Sequence, residues 1–382
     1  MKIALAHDWL NQMGGAENVL EQLVAMFPGA PVFTTIYAPD LMPEAYRQWD
    51  IRPTWLNRAP AIHRHHQPYL PLYLPAVASM DFSGYDVILS NKSGFIHGLG
   101  HRPEQLHLCY CLAPTRYVWN YAGYAAREGF GRWLGLAIGP VIKRLRRWDF
   151  EAAQLPPLSS LPTKSGPGGG KGVHHFIAIS KDIQARIKKY YQRDSVIIYP
   201  PVDTNRFRPV DQPAGDYYFI VSRLIPYKRI DLAVQAMTRL GRRLIIVGDG
   251  RDRAALEAMA GPTVEFKGRL PWDDVVELMV NCRAFLFPGF EDFGIAPVEA
   301  QAAGRPVIAF ARGGALDTVS EGETGLFFRK QSVEALTETI ERFEQLVFDP
   351  AAARTNAERF STERFWRELS DFVTQKWQEF GG

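Results

Sequence analysis

Glu291 and Glu299 stand eight residues apart in the run Glu291-Asp292-Phe293-Gly294-Ile295-Ala296-Pro297-Val298-Glu299. Ionised carboxylates accept hydrogen bonds without donating, which suits such a pair to gripping hydroxyl groups. The preceding run Arg283-Ala284-Phe285-Leu286-Phe287-Pro288 reads as a buried strand edge. Pro297, which has no amide proton to leave unbonded, suits the first turn of a helix. Glu291 is therefore expected on the loop after the strand and Glu299 in the first helical turn. A helix start offers unpaired N–H groups and a partial positive charge, so an anion such as phosphate is favoured beside the two acids. Two ordinary surface acids have the same spacing, and the rest of the chain must decide.

Three other stretches carry related chemistry. Tyr217–Val221 reads as a strand that delivers Ser222, Arg223 and, a turn later, Lys228 to its carboxyl end. There two cations can neutralise a diphosphate as charge develops on it. His7-Asp8-Trp9-Leu10-Asn11-Gln12-Met13-Gly14-Gly15 ends the first strand, and Val19, Leu20, Leu23, Val24 and Phe27 then recur at helical spacing. Paired glycines before a helix let backbone amides approach an oxyanion. Gly248-Asp249-Gly250 resembles a dinucleotide turn, but Arg253 occupies the place of its third glycine, which argues against nicotinamide binding.

These residues need a scaffold. Short apolar runs alternate with helical patterns: Lys2–Ala6, Asp86–Ser90, His107–Cys111, Phe176–Ser180 and Ser195–Tyr199, then Tyr217–Val221, Arg243–Val247, Val264–Phe266, Ala284–Phe287 and Pro306–Phe310. This is the pattern of parallel sheets covered by helices on both faces, and 382 residues with 46% hydrophobic content suffice for two such cores. An α/β chain of two doubly wound domains is expected. The segment Pro200–Pro209 follows neither period and places the boundary, giving domains 1–202 and 203–382. In such sheets ligands sit at the carboxyl ends of the strands.

Leu155–Gly172 breaks the rhythm, with 12 of its 18 residues Pro, Gly or Ser. It is expected to be a disordered insertion. Its Gly168-Gly169-Gly170-Lys171 lacks the first glycine and the closing Ser or Thr of a phosphate loop. Cys109, Cys111 and Cys282 form neither a disulfide framework nor a zinc ligand set. His63-Arg64-His65-His66 has no neighbouring carboxylates, so a surface loop is expected rather than a metal site. The apparent lack of a signal or of any membrane-spanning run leads to the expectation of a cytoplasmic protein. Before Pro200 there are 21 basic against 14 acidic residues, and after it 23 against 27. The basic first half suits an anionic surface or substrate, while the absence of a basic stripe interleaved with aromatics argues against nucleic acid.

In their order along the chain, the glycine loop, Ser222-Arg223 with Lys228, Gly248-Asp249-Gly250 and the Glu291–Glu299 pair resemble the retaining glycosyltransferases of family 4. The resemblance spans nearly the whole chain apart from Leu155–Gly172. His7-Asp8-Trp9, Pro114-x-Arg116-Tyr117-x-Trp119 and Phe176-Ile177-Ala178-Ile179-Ser180 are most similar to bacterial mannosyltransferases of O-antigen and exopolysaccharide assembly. The resemblance implies a GT-B architecture, two Rossmann-like domains facing across a cleft, with the final helix, about Phe365–Phe380, crossing back to the first. It implies a nucleotide-sugar donor, GDP-mannose favoured, and a lipid-linked glycan acceptor, with no cofactor and no metal.

By position, Arg223 and Lys228 would hold the donor diphosphate and stabilise the departing nucleotide beside Ser222. Glu291 would touch the transferred sugar, with Phe293, Gly294 and Ile295 nearby. Glu299 would bind the ribose hydroxyls, and the base would lie along Gly268-Arg269-Leu270. Gly14 and Gly15 would face the diphosphate, and Asp8, Arg116 and Tyr117 would serve the acceptor side. Glu291, Arg223 and Lys228 are the expected catalytic residues.

One position departs from the family. Where similar enzymes carry a histidine thought to contact the reacting sugar, this chain has Leu112 in Leu112-Ala113-Pro114. Leucine neither moves a proton nor hydrogen-bonds, and a positioned polar group supplies roughly two to four decades of rate. A catalytically impaired binder within an assembly complex is the alternative this raises. His97 and His107 are expected to be structural. Trp133–Ile142 running into the basic Lys143–Trp148 suits contact with the anionic inner face of the cytoplasmic membrane; a helix docked on the first domain is the competing expectation.

Overall fold

Runs rich in Val, Ile, Leu and Phe, bounded by turn residues, become parallel strands whose two faces are both covered. They therefore read as continuous apolar segments rather than alternating ones. The computed structural model describes residues 1–65, 67–119, 132–155, 170–209 and 214–381. Its contacts divide the chain into Met1–Tyr199 with Trp366–Gly382, and Pro200–Phe365.

The first unit contains β1 (Ile3–His7), β2 (Val32–Thr34), β3 (Ile51–Pro53), β4 (Val87–Lys92), β5 (Gly100–His101), β6 (Leu106–Cys111), β7 (Gly170–Lys171), β8 (His175–Ala178) and β9 (Ser195–Ile197). Seven of these form one parallel sheet in the order β3-β2-β1-β4-β6-β8-β9. The short β5 and β7 pair antiparallel beside it. Ala4, Ala6, Phe33, Val77, Phe82 and Ile88 form one apolar cluster, and Leu56, Tyr73, Ala76, Phe95, Ile142 and Leu145 another.

The second unit contains β10 (Tyr217–Val221), β11 (Arg243–Val247), β12 (Val264–Gly268), β13 (Ala284–Phe287), β14 (Val307–Phe310) and β15 (Gly325–Phe328), in the order β12-β11-β10-β13-β14-β15. All its pairings are parallel. Tyr218, Ile246, Leu286, Ile308 and Phe328 pack there with Leu232 and Met237 of helix Ile230–Leu240 and Leu336 and Ile340 of helix Val333–Phe343. Order reversal beside β10 and beside β1 puts the loops after those strands where ligands of doubly wound sheets sit.

Of the excursion expected over Leu155–Gly172, residues 156–169 lie outside the described residues. Its end is more regular than expected, because Gly170–Lys171 is a strand. Gly172 has φ +108°, and a Cβ there would lie 2.1 Å from the Gln154 carbonyl oxygen, so the chain on either side of the excursion is held together. The final helix, Thr362–Phe380, begins in the second unit and continues in the first from Trp366. Leu369 and Val373 are buried, Trp366 donates to Gln22 at 3.1 Å, and Phe372 and Phe380 pack on His175 and His174.

Candidate functional site

In the second unit β10 ends at Val221 and hands the chain to Ser222 and Arg223, then to a single 3-10 turn, Pro226–Lys228. Arg223 is exposed, with no ion pair or side-chain hydrogen bond among the described residues. Lys228 Nζ meets Glu291 Oε1 in an ion pair with both side chains largely shielded from solvent. Lys228 and Glu291, expected at the phosphates and the sugar, are thus neighbours, brought together from loops after β10 and β13.

Glu291 is fixed by its own backbone. Its carbonyl accepts from Gly314 N at 3.0 Å, and the loop after β14 packs so closely that only glycine fits. A Cβ on Gly313, whose φ is +66°, would sit 2.3 Å from the Glu291 carbonyl oxygen, and one on Gly314 would sit 2.1 Å from that of Phe293. Sequence reasoning missed these two glycines; a Gly-Gly pair directly after an apolar strand was the available signal. Phe293 is buried and packs on Phe360 with ring centroids 5.6 Å apart.

The helix after this loop runs Ile295–Ala302 and starts at Gly294, whose φ of +87° turns the chain into it. This corrects the expected placement of Glu299. The turn at Gly294 starts the helix two residues before Pro297, so Glu299 lies beyond the first turn. Glu299 is half-buried, and burial raises its carboxyl to about 7, opposed by Arg206 and reinforced by Asp203. The helix is anchored behind by Gln301, which donates to Pro297 and Thr318 carbonyls and accepts from Asn356 at 2.6 Å.

The neighbouring turns are equally tight. Gly248 has φ +129°, and a Cβ on it would meet the Ser222 carbonyl oxygen at 1.8 Å. Gly248 N donates to Gly268 O at 2.7 Å, so Ser222, Gly248 and Gly268 are stitched together at the strand ends. Arg269 projects into solvent and Leu270 is half-buried. Arg253 starts a helix and pairs with Glu257 at 2.8 Å.

In the first unit, Gly14 precedes helix Gly15–Met26 in extended conformation, and a Cβ on it would meet only Glu17, at 3.3 Å. Backbone geometry does not demand a glycine there. The loop is braced by Asn91, whose amide donates to the Ala16 carbonyl at 2.8 Å and to His7 Nδ1 at 3.3 Å. That bond leaves the His7 proton on Nε2, directed at Glu17 Oε1 at 3.4 Å.

Asp8, expected on the acceptor side, holds the loop after β4. It is buried, and its carboxylate accepts from the amides of Ser93 (2.7 Å), Gly94 (2.6 Å) and Ile96 (2.8 Å). A carboxylate enclosed by three amide donors has little capacity left for a substrate. Arg116 is exposed at the start of the short helix Arg116–Trp119, and Leu112 is half-buried after β6, its amide on the Lys92 carbonyl. The Tyr117 side chain lies outside the described residues.

His107 and His97 are both internal. His107 Nδ1 donates to Gly172 O at 2.8 Å, leaving Nε2 to accept from Ser90 Oγ at 2.8 Å; its surroundings hold it well below the ordinary imidazole range, chiefly through burial. His97 Nε2 donates to the Asp149 carbonyl at 3.1 Å, and burial lowers its pKa to about 4. Among the described residues there is no cluster of His, Cys, Asp or Glu arranged to hold a metal, and the three cysteines are free and buried. No described helix is long and apolar enough to cross a membrane.

Two parallel α/β sheets with ligand-type loops at their carboxyl ends define a protein of the GT-B class. Full-length structural neighbours share that fold: Anabaena Alr3699/HepE in complex with UDP (TM-score 0.66, 17% identity, 98% of this chain and 100% of that one). The lipopolysaccharide outer core galactosyltransferase WaaB in its apo form is similar (TM-score 0.65, 16% identity, 98% and 100%). Residues 201–360 match the family described as Glycosyl transferases group 1.

Curated relatives include an uncharacterised glycosyltransferase of Methanocaldococcus jannaschii, 26% identical over 53% of this chain and 59% of its own length. Another is a GDP-mannose-dependent monoacylated alpha-(1-6)-phosphatidylinositol monomannoside mannosyltransferase of Corynebacterium glutamicum, 35% identical over 38% of this chain and 42% of its own. The chain spans about half the length of the curated relatives it matches.

Proposed function

We propose that this protein is a retaining glycosyltransferase that moves a hexose, mannose from GDP-mannose, onto a lipid-linked glycan in bacterial surface-polysaccharide synthesis. The observation that carries the reading is the convergence of Arg223, Lys228 and Glu291 at the ends of β10 and β13, with Glu299 one helix turn further on. In this reading Arg223 and Lys228 receive the diphosphate, and Lys228 exchanges Glu291 for phosphate oxygen as the donor enters. Glu291, released from Lys228, accepts from the sugar hydroxyls. Glu299 takes the ribose hydroxyls, the base rests on Gly268-Arg269-Leu270, and Ser222, Phe293, Gly294 and Ile295 complete the pocket. Gly14 and Gly15 give their amides to the diphosphate, and the lack of any backbone demand for glycine at Gly14 supports this. Two fixed cations meet the leaving group's charge without a metal.

The mannose preference draws on the GDP-mannose-dependent relatives. A lipid-linked acceptor fits an exposed helix face bearing Pro71, Leu72 and Pro75, next to the turn with exposed Arg58 and sharing an apolar cluster with the helix that carries exposed Lys143 and Arg144. Such a surface suits an anionic bilayer, each cation contributing on the order of 1 kcal/mol. The chain would work at the cytoplasmic face of that membrane.

The test is a panel of GDP, UDP, ADP and their sugars by thermal shift, followed by turnover of radiolabelled donors with membrane extracts for the native chain and Leu112→His. Selective stabilisation by GDP with mannose transfer supports the reading. Tight GDP binding with no transfer by either protein replaces it with the second reading, a nucleotide-sugar binder within an assembly complex, which Leu112 motivates.

A further inference from the structure

Lys92 and Asp149 are fully buried charges in the first unit. Lys92 closes β4, and its Nζ donates to the Ala113 carbonyl at 3.0 Å and to Thr115 Oγ1 at 3.3 Å. Asp149, in helix Arg132–Ala152, receives Thr115 Oγ1 on Oδ1 at 2.6 Å. Its Oδ2 accepts from Trp119 Nε1 at 2.6 Å and from the Tyr191 hydroxyl at 2.8 Å. Thr115 is thus the relay. Its oxygen faces the ammonium, and its single proton is shared between Asp149 and the Gly94 carbonyl, 2.8 Å away.

Buried opposite charges seldom stabilise a fold more than apolar residues of the same size would, because both must be stripped of water. What they supply is a unique arrangement. Here the residues arranged are Ala113, Thr115 and Trp119, all within the segment 112–119, while Arg146 Nε takes the Val118 carbonyl at 2.7 Å. Arg116, in the same segment, is exposed.

We propose that the Lys92–Thr115–Asp149 relay fixes the segment 112–119 in the conformation that binds the acceptor, with Asp149 as a positioning residue that presents Arg116 to a phosphate-bearing acceptor. The acceptor part rests on the transferase reading given above. Asp149 leaves Trp119, Tyr191 and Thr115 without an anion when it is replaced, and Lys92 then stands as a buried charge without its counterpart. Removing both charges together relieves that conflict.

The experiment measures amide hydrogen exchange on the full chain for Asp149→Asn, Lys92→Met, the double variant, and Tyr191→Phe as a milder probe that removes one donor. Asp149→Asn is expected to speed exchange in 112–119 at least tenfold while β4 and β6 keep their protection. Tyr191→Phe should move the same peptides by a smaller factor, and the double variant should lose less thermal stability than the two single variants combined. In transfer assays the acceptor KM of Tyr191→Phe should rise severalfold with the donor KM and GDP affinity unchanged. Exchange that rises equally throughout the first unit, additive losses in the double variant, or equal changes in donor and acceptor KM would each overturn the proposal. Exchange is read without any sugar, so a chain that transfers nothing still decides whether the relay holds the segment.

Discussion

Arg223 is the residue whose chemistry is most open to measurement, because it is exposed and has no side-chain partner among the described residues. Arg223→Ala should cost little stability but weaken GDP binding by about 10- to 100-fold, the range of one or two charge-assisted bonds of 1.5–3 kcal/mol. Calorimetry at fixed salt checks this, and affinity within twofold of the native chain removes Arg223 from the site. Glu299 gives a pH signature. Its carboxyl is raised to about 7 by burial, so between about pH 4.5 and 7 the folded chain holds a proton that the unfolded chain has lost. Stability therefore falls as pH rises through that window, and Glu299→Gln should lose less melting temperature between pH 5 and 8 than the native chain, by a few degrees. If Glu299 accepts from ribose, nucleotide affinity should move the opposite way and tighten as pH passes 7. Parallel pH profiles for the native chain and the Gln variant would contradict both expectations.

At the scale of elements, the helix Ile295–Ala302 is only as well placed as the loop before it, and that loop is clamped by Gly313-Gly314. Gly314→Ala puts a methyl where 2.1 Å separates it from a carbonyl oxygen, so the Glu291–Phe293 backbone must shift. The expected result is a loss of several degrees in melting temperature and at least tenfold weaker GDP binding; Gly314 has φ −65°, a value any residue adopts, so the loss comes from the clash and not from backbone strain. A Gly314→Ala chain that melts and binds GDP like the native one would show that the loop is not clamped there.

Each of the ten apolar runs in the sequence coincides with a strand within a residue or two at its ends. The strands that escaped were β2, β3, β15 and the two-residue β5 and β7. Val32–Thr34 and Ile51–Pro53 are three residues long, the latter with exposed Arg52 and Pro53, and β15 opens on a glycine. Segments that short carry no period to read. The donor-side candidates were legible because each lies at the end of a recognisable strand. The structural bonds of Asp8 were not legible because its partners are backbone amides of residues 93–96, which side-chain identities do not reveal. The Lys92–Thr115–Asp149 relay was invisible for a similar reason: its members are 23 and 34 residues apart and meet only after β4, β6 and helix Arg132–Ala152 have packed.

The whole molecule joins its halves through chain connectivity that sequence order conceals. Residues from Trp366 onward belong with the first unit, whereas Pro200–Phe365 form the second. Ending the chain after Phe365 removes Leu369 and Val373 from the interior of the first unit, at roughly 1.5–3 kcal/mol for each buried side chain. The shortened protein should show two thermal transitions, with the lower one shifted downward by several degrees and the GDP-stabilised one unchanged. Calorimetry with and without GDP reads both, and an unshifted lower transition would show that the helix adds nothing to the first unit.

The same connectivity orders events during synthesis. Translation proceeds from the N-terminus at about 5–20 residues per second, so residues 200–365 are all made before Trp366. The nascent first sheet therefore waits roughly 10–35 seconds, the time needed to make some 170 further residues, before its closing helix exists. Throughout that interval the surface that later receives Leu369 and Val373 stands open on the ribosome, where a chaperone can reach it.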